Sequence, residues 1–346
     1  MIHRVGRRTA FVLALAAAWL MFATHAVAAP AKIVFHDKKA AANAILDDDD
    51  DPYFELLQSL EMSAKSGSPL DGDLAAQRNA FRSRYSGSVL DFSNAEKKMI
   101  RSGIERVHPY LEKHYSVLAG TTWSFIKVTP GFESGLPHTR GDHIVLSELF
   151  LQWLLEMPED NSAPFLSGLL VHELMHVAQR DHAEIFDALY SDIWGFREVA
   201  EIAGDAWFVE NQVINPDGPH RWLYPAGEGD NASWLWTTLL LQSPESGNPS
   251  LTRDMQMIAV TVDELDGAFS VRQAEGKPVY GQLMEASAFT DAFSYTTNLY
   301  HPNEITADAL AKLVVAGMFG VDAPSGNGLE VLREWFDNHL HANSDN

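Results

Sequence analysis

The feature that most constrains this chain is an apolar run that contains ionisable side chains. Residues 170–182 read LVHELMHVAQRDH, and across residues 163–178 the only other polar side chain is Ser167. A helix that is apolar on every face is normally buried. A buried ionisable group is costly unless it is paired or binds a metal. His172, Glu173 and His176 therefore need a partner from elsewhere in the chain.

These three residues form the pattern His-Glu-x-x-His within a helix predicted over residues 164–180. Helical positions four apart lie about 40° apart around the axis and one turn along it, so both imidazoles can reach one metal ion. Glu173 stands beside the pair and can accept a proton from metal-activated water. Since the sequence contains no cysteine, any further ligand must be a histidine or a carboxylate.

The motif, its helix and the strand predicted at residues 143–147 (HIVLS) resemble the zincin metallopeptidases, most specifically over residues 142–211. The resemblance implies Zn²⁺ as cofactor and peptide-bond hydrolysis with Glu173 as general base. It also implies a peptide or protein substrate lying along HIVLS as an edge strand. The expected fold is α+β and mostly helical, a zincin-like domain with a small twisted sheet and an active-site helix that carries His-Glu-x-x-His.

A catalytic zinc usually takes three protein ligands and a water, and the third ligand has several candidates here. Glu201 and Asp205 are four residues apart on a helix predicted over residues 197–213. This Glu-x-x-x-Asp arrangement resembles the glutamate helix of gluzincins. The resemblance implies that Glu201 binds zinc and that Asp205 accepts the N–H of a ligand histidine. Glu198 is a second choice near the same face.

Glu304 and His182 are the alternatives to Glu201. Glu304 lies in NEITAD, which resembles the gluzincin string more closely, but it is far along the chain. An acid in the first turn after Pro302 is also favoured by the helix dipole alone. His182 has the metzincin spacing, but Gln179 stands where that family has glycine, so a continuing helix points His182 away from the motif face. The predicted zinc ligands are therefore His172, His176 and Glu201.

Attack of water on a peptide carbonyl creates an oxyanion, which needs a hydrogen-bond donor besides the metal. The segment PHRWLYP offers His220, Arg221 and Tyr224. Gluzincins often carry such a residue downstream of the ligands, so the resemblance implies His220 and Tyr224 as catalytic candidates. Tyr300-His301 is a second option.

The N-terminus has the pattern of a secretory signal. Three arginines precede an apolar run at residues 9–23, and Ala26-Val27-Ala28 is a cleavage pattern. Residues 1–28 are therefore predicted to be a signal peptide, which indicates a periplasmic or secreted protein. Residues 29–91 are predicted to be a linker and helical segment, a candidate pro-region, and residues 92–346 the catalytic domain. No internal run is apolar and long enough to predict stable membrane insertion after cleavage.

The net charge of the chain limits the classes of partner that it can bind. The formal net charge is −22, which argues against a nucleic-acid partner because phosphate binding needs a basic face. Two alternatives to a protein-cleaving enzyme stay open. One is a zinc hydrolase that cuts peptidoglycan cross-links, and the other is a non-proteolytic zincin-like binding protein. The sequence leaves the oligomeric state open.

Overall fold

The computed structural model describes residues 30–49, 52–227, 232–242 and 249–341. The predicted signal peptide and its cleavage site at Ala28 lie outside the described residues. The fold is α+β, with about 51% of the described residues in helices and 20% in strands. Within the described part of the chain, no helix has the length and apolar character needed to cross a membrane.

The helices and strands are numbered in chain order. The helices are α1 (Lys38–Ala44), α2 (Tyr53–Leu56), α3 (Ser59–Ser66), α4 (Leu74–Gly87), α5 (Asn94–His114), α6 (Ser116–Gly120), α7 (Glu148–Glu156), α8 (Glu159–Asp181), α9 (Ala183–Ala188), α10 (Ala206–Asn211), α11 (Leu251–Asp254), α12 (Ser287–Ala292), α13 (Pro302–Phe319) and α14 (Leu329–His339). The strands are β1 (Ile33–Phe35), β2 (Val89–Leu90), β3 (Trp123–Val128), β4 (His138–Arg140), β5 (His143–Ser147), β6 (Arg197–Glu198), β7 (Gln212–Val213), β8 (Trp222–Ala226), β9 (Ser233–Leu241), β10 (Met255–Leu265), β11 (Ala268–Val271), β12 (Gln273–Ala274), β13 (Lys277–Pro278) and β14 (Tyr280–Gln282).

The first sheet has the strand order β1-β3-β5-β4, with β2 also paired to β3. Strands β1, β3 and β5 run parallel, whereas β4 is antiparallel to β5. The predicted strand HIVLS is β5. The prediction that it is an edge strand is wrong, because β5 pairs with β3 on one side and with β4 on the other. A short hairpin turn at Gly141, which has a positive φ of 49°, places β4 at the edge instead.

The second sheet is antiparallel, with the order β11-β10-β9-β8-β6. The helix predicted over residues 197–213 is wrong, since this stretch contains β6, the short helix α10 and β7. Between β6 and α10, the backbone N–H of Ala203 donates to the carbonyl of Phe269, and the carbonyl of Ala203 accepts from the N–H of Val271. This segment is therefore extended alongside β11. Gly204 then adopts a positive φ of 77°, a backbone conformation that is incompatible with the predicted helix.

Helices α8 and α13 pack closely against each other and carry the residues of the candidate site. Glycine permits the approach: a Cβ on Gly168 of α8 would lie 3.1 Å from Val315 Cγ2 of α13. Helix α8 includes the predicted motif helix and begins earlier, at Glu159. Two acidic side chains in its first turn interact favourably with the helix dipole and stabilise this start. The side chain of His301 caps α13 by accepting from the N–H of Asn303, and Pro302 occupies the first turn.

The segment predicted over residues 29–91 to be a linker and helical segment belongs, from residue 31 on and where the structure describes it, to the same compact unit as the rest of the described chain. Strand β1 pairs with β3, so this segment extends the first sheet. Its helices also bury a set of polar groups. Lys65 of α3 lies 3.1 Å from Glu61 and 3.2 Å from Glu133, and its Nζ donates to the hydroxyl of Tyr53.

Glu61 is expected to make stability depend on pH. Burial, the largest influence, raises the pKa of Glu61 from 4.5 to about 7, although Lys65 and the N–H of Ile214 act in the opposite direction. A carboxyl whose pKa is higher in the folded chain stabilises the fold when protonated, and this contribution is lost as pH rises through that interval. Relative to Glu61→Gln, the free energy of unfolding of the native chain should fall by on the order of 3 kcal/mol between pH 4.5 and 7. Urea denaturation of both proteins across this range measures it, and parallel pH profiles would contradict the expectation.

Candidate metal centre

The two motif histidines meet a glutamate from α13. His172 Nε2 lies 3.4 Å from Glu304 Oε2, and His176 Nε2 lies 3.5 Å from Glu304 Oε1. The two Nε2 atoms are 3.1 Å apart. Among the residues that the structure describes, this is the group of histidine and carboxylate side chains close enough to share a metal ion.

The distances suit a tetrahedral zinc ion. Zinc binds imidazole nitrogen and carboxylate oxygen at roughly 2.0–2.2 Å, so two of its ligands in tetrahedral geometry stand about 3.4 Å apart. The three separations here lie close to that value. Two neutral imidazoles and one carboxylate also form a common ligand set of catalytic zinc. The residues present therefore fit the metal that the motif implies.

The electrostatics of the group favour a cation among the three side chains. Burial alone would lower the pKa of His172, but the hydrogen bond and negative charge of Glu304 outweigh it and raise the pKa to about 9. Burial also opposes the charged form of Glu304, yet the neighbouring His176 and His172 hold its pKa well below the usual range. Burial lowers the pKa of His176, a shift in the direction of the neutral imidazole that binds metals.

Hydrogen bonds orient two of the three side chains, those of His176 and Glu304. His176 Nδ1 lies 2.8 Å from Gln179 Oε1, and Gln179 in turn donates to the carbonyl of Asn303 at the start of α13. Each oxygen of Glu304 accepts one amide hydrogen bond, from Asn215 Nδ2 at 2.8 Å and from Asn298 Nδ2 at 2.7 Å. Such outer bonds set the orientation of metal ligands. Gln179, which the metzincin pattern would replace by glycine, is thus the residue that orients His176.

Glu173 is buried at the edge of this group, where the surroundings disfavour its charged form. Its Oε2 atom is buried and has no hydrogen-bond partner among the described residues. Burial raises the pKa of Glu173 well above its usual value, and the charge of Asp217 raises it further. Asp217 is fixed by the edge strand, because its Oδ1 accepts from the backbone N–H and the hydroxyl of Thr139. A buried, partnerless carboxylate oxygen with a raised pKa is suited to accept a proton.

The group lies in a cleft with a volume of about 950 Å³. His172, Glu173 and Glu304 line it, and Leu136 and Pro137, just before β4, form part of its wall. Away from these residues the groove continues between α8 and α13. Its walls there are mainly apolar side chains spaced along one face of each helix: Pro164, Phe165, Leu169, Ala311 and Val315.

The structure does not bring Glu201 and Asp205 to the motif histidines. Glu201 is exposed in the extended segment after β6 and lines a separate groove beside Phe269. Asp205 pairs with Arg221 at 2.7 Å rather than with a ligand histidine. Glu201 therefore does not join the motif histidines, and the carboxylate that the structure places beside them is Glu304. The physical reason is that the backbone of this segment pairs with β11, which carries it away from α8.

The other predicted residues also lie elsewhere. His220 is half exposed, and its Nδ1 lies 2.6 Å from Glu198 Oε1. Tyr224 belongs to β8, and its ring packs on Phe289 at 4.9 Å between centroids, in the core rather than the cleft. His182 follows the last residue of α8 as its C-cap and is not part of the group formed by His172, His176 and Glu304.

Tyr300, the second option, does line the cleft. Burial raises the pKa of Tyr300 well above the usual value, and the neighbouring negative charge of Glu304 raises it further. The tyrosine therefore stays protonated and able to donate at neutral pH. The sequence signal for Tyr300 is its position four residues before Glu304, which becomes informative only when the structure places Glu304 beside His172 and His176.

Comparison with protein-family models, with curated proteins and with solved structures finds no match to this chain. The functional argument therefore depends on the geometry of the site.

Proposed function

We propose that this protein is a zinc-dependent metallopeptidase of zincin type that acts outside the cytoplasm. The observation that carries the proposal is that His172, His176 and Glu304 stand at the distances expected between ligands of a tetrahedral zinc ion, and that His172 and Glu304 line an open cleft. Glu173 completes the arrangement expected for hydrolysis, since its partnerless carboxylate oxygen lies beside the ligands. The localisation is supported by the N-terminal sequence alone.

The residues of the site divide the chemistry among them. His172, His176 and Glu304 would hold the zinc ion, which when bound supplies a Lewis acid that polarises the peptide carbonyl and acidifies water. Glu173 accepts a proton from the attacking water and then delivers it to the departing amine. Tyr300 donates a hydrogen bond to the oxyanion that develops on the carbonyl. Gln179 and Asn298 hold two of the ligands in place.

The shape of the cleft supports a chain-like substrate. The groove between α8 and α13 is open and has a volume of about 950 Å³, which suits an extended peptide. The edge strand β4 lies at its border, but Asp217 already binds the N–H of Thr139. Pairing of a substrate backbone with β4 is therefore restricted near Thr139, and apolar contacts in the groove supply the remaining binding energy.

The direct test of this function is cleavage of an unfolded protein by the purified mature chain. We expect new peptide termini, identified by mass spectrometry, that disappear with a zinc chelator and return when zinc is added. Cleavage that persists in the chelator, or absence of cleavage by a zinc-loaded protein on any polypeptide, would contradict the proposal.

Tyr300→Phe is expected to lower kcat by roughly 10²-fold with little change in KM, because the hydroxyl would act mainly on the transition state. The protein should keep its zinc, since Glu304 retains its bonds from Asn215 and Asn298. Peptide-cleavage kinetics with a metal assay on the same preparation measures both quantities. Tyr224→Phe is the matched control and should have the native kcat. An unchanged kcat in Tyr300→Phe would remove Tyr300 from the mechanism.

A further inference from the structure

The buried charges of α3 lie next to the loop that holds the zinc ligand Glu304. Lys65 Nζ donates to the carbonyl of Ile214 at 2.8 Å, and Glu61 Oε1 accepts from the N–H of the same residue at 2.6 Å. Both backbone polar groups of Ile214 are therefore bound by side chains of one helix. The side chains of Glu61 and Lys65 are fully buried.

The next residue in the chain reaches the candidate metal centre. Asn215 Nδ2 donates to Glu304 Oε1, while Asn215 Oδ1 accepts from the N–H of Asp217 at 3.0 Å. The amide is thus oriented from both ends. Because Ile214 and Asn215 are adjacent, the bonds from α3 fix the backbone position from which Asn215 extends to the ligand.

Stability alone gives a weak reason for these charges. Removing a lysine and two carboxylates from water is costly, and a buried ion pair is often no more stabilising than well-packed apolar residues. An apolar replacement would, however, leave the N–H and carbonyl of Ile214 buried without partners. The pair is thus suited to holding one loop in one position.

We infer that Glu61 and Lys65 are positioning residues of the metal centre, acting on Glu304 through Ile214 and Asn215. The helical segment before residue 92 is then a permanent part of the site rather than a removable pro-region. The inference rests on the proposed zinc site. It extends that site to two residues that lie more than a hundred positions from each ligand in the sequence. These residues reach the ligand Glu304 through the loop of Ile214 and Asn215.

Zinc affinity, measured by competition with a chromogenic chelator, tests the inference without relying on activity. Lys65→Met should weaken zinc binding by about 10-fold, the lower end of the effect of losing an outer partner of a ligand. Asn215→Ala should weaken it by 10- to 100-fold. With Co²⁺ in place of zinc, Lys65→Met should also change the visible absorption bands, which report ligand geometry.

Lys127→Met is the matched control. Lys127 is likewise a buried lysine between two carboxylates, 3.0 Å from Glu96 and 3.1 Å from Glu148, on β3. It makes no bond to the loop of Ile214 and Asn215 among the described contacts. Its loss should lower stability while leaving zinc affinity within about 2-fold of the native value. Glu61→Leu, which removes the acceptor of the Ile214 N–H, serves as the second variant if Lys65→Met does not fold.

A double-mutant cycle decides whether the effect passes through Asn215. In the Asn215→Ala background, the α3 substitution should cause little additional loss of zinc affinity. Full additivity would overturn the inference, as would native zinc affinity in a folded α3 variant or an equal loss in Lys127→Met. If the native protein itself binds no zinc, the proposed function is wrong. If the native protein binds zinc and the α3 substitutions do not change its affinity, only the present inference is wrong.

Discussion

Glu304→Ala is expected to lower the affinity of the protein for zinc by about 100-fold or more. Loss of an outer partner of a ligand costs 10- to 100-fold in metal affinity, so loss of the ligand itself should cost at least as much. Glu304 also supplies the negative charge of the group, and without it two imidazoles alone face the ion. Zinc content after dialysis and chelator competition together measure the change.

Glu201→Ala is the control for this experiment. Glu201 carries the same charge and follows the same motif helix in the chain, but it is exposed and lies in a separate groove. Its replacement should leave zinc affinity at the native value. If Glu201→Ala loses zinc while Glu304→Ala keeps it, the arrangement of the metal centre described above is wrong.

Glu173→Gln is expected to lower kcat for peptide hydrolysis by about 10²- to 10⁴-fold, the range for loss of a positioned general base. The substitution keeps the size of the side chain but removes the group that accepts the proton. Zinc should still bind, because Glu173 is outside the group formed by His172, His176 and Glu304. Steady-state kinetics on a fluorogenic peptide, with zinc content measured in parallel, checks both statements.

The combination of outcomes separates catalysis from binding. Zinc retained with activity lost is the expected pattern for Glu173→Gln. A variant that keeps both zinc and the native kcat would show that another group accepts the proton. It would also favour the alternative of a zincin-like protein whose zinc has no hydrolytic role.

The motif helix could be predicted from the sequence because its determinants are local. The apolar run and the spacing of His172 and His176 specify a buried helix with two imidazoles on one face, and α8 has this form. The helix carrying Glu304 was also visible, since Pro302 and the apolar residues after it indicate its start. In both helices, the pattern of neighbouring residues decides the structure.

The third ligand could not be chosen from the sequence because the choice depends on long-range pairing. Val199 and Ile202 fit an amphipathic helix as well as an extended segment, and the pairing of Ala203 with β11 decides between them. Glu304, in turn, occupies a first-turn position that the helix dipole favours in any helix. Only the packing of α13 on α8 shows that its carboxylate faces His172.

The same limit applies to the outer residues of the site. The sequence prediction put Tyr224 before Tyr300 as the donor, but β8 packs Tyr224 on the aromatic ring of Phe289, whereas the loop before α13 places Tyr300 in the cleft. The role of the N-terminal segment was also hidden, since the contacts of Lys65 with Ile214 join residues 149 positions apart. Contacts of this kind depend on how the elements pack, which local patterns do not encode.

X-ray absorption spectroscopy at the zinc edge, on the zinc-loaded mature protein, tests the central claim most directly. The account predicts one zinc per chain with two imidazole nitrogens and oxygen ligands, all at about 2.0–2.2 Å. Absence of tightly bound zinc, or a shell of oxygen alone without imidazole scattering, would contradict the assignment of His172, His176 and Glu304 as the metal centre.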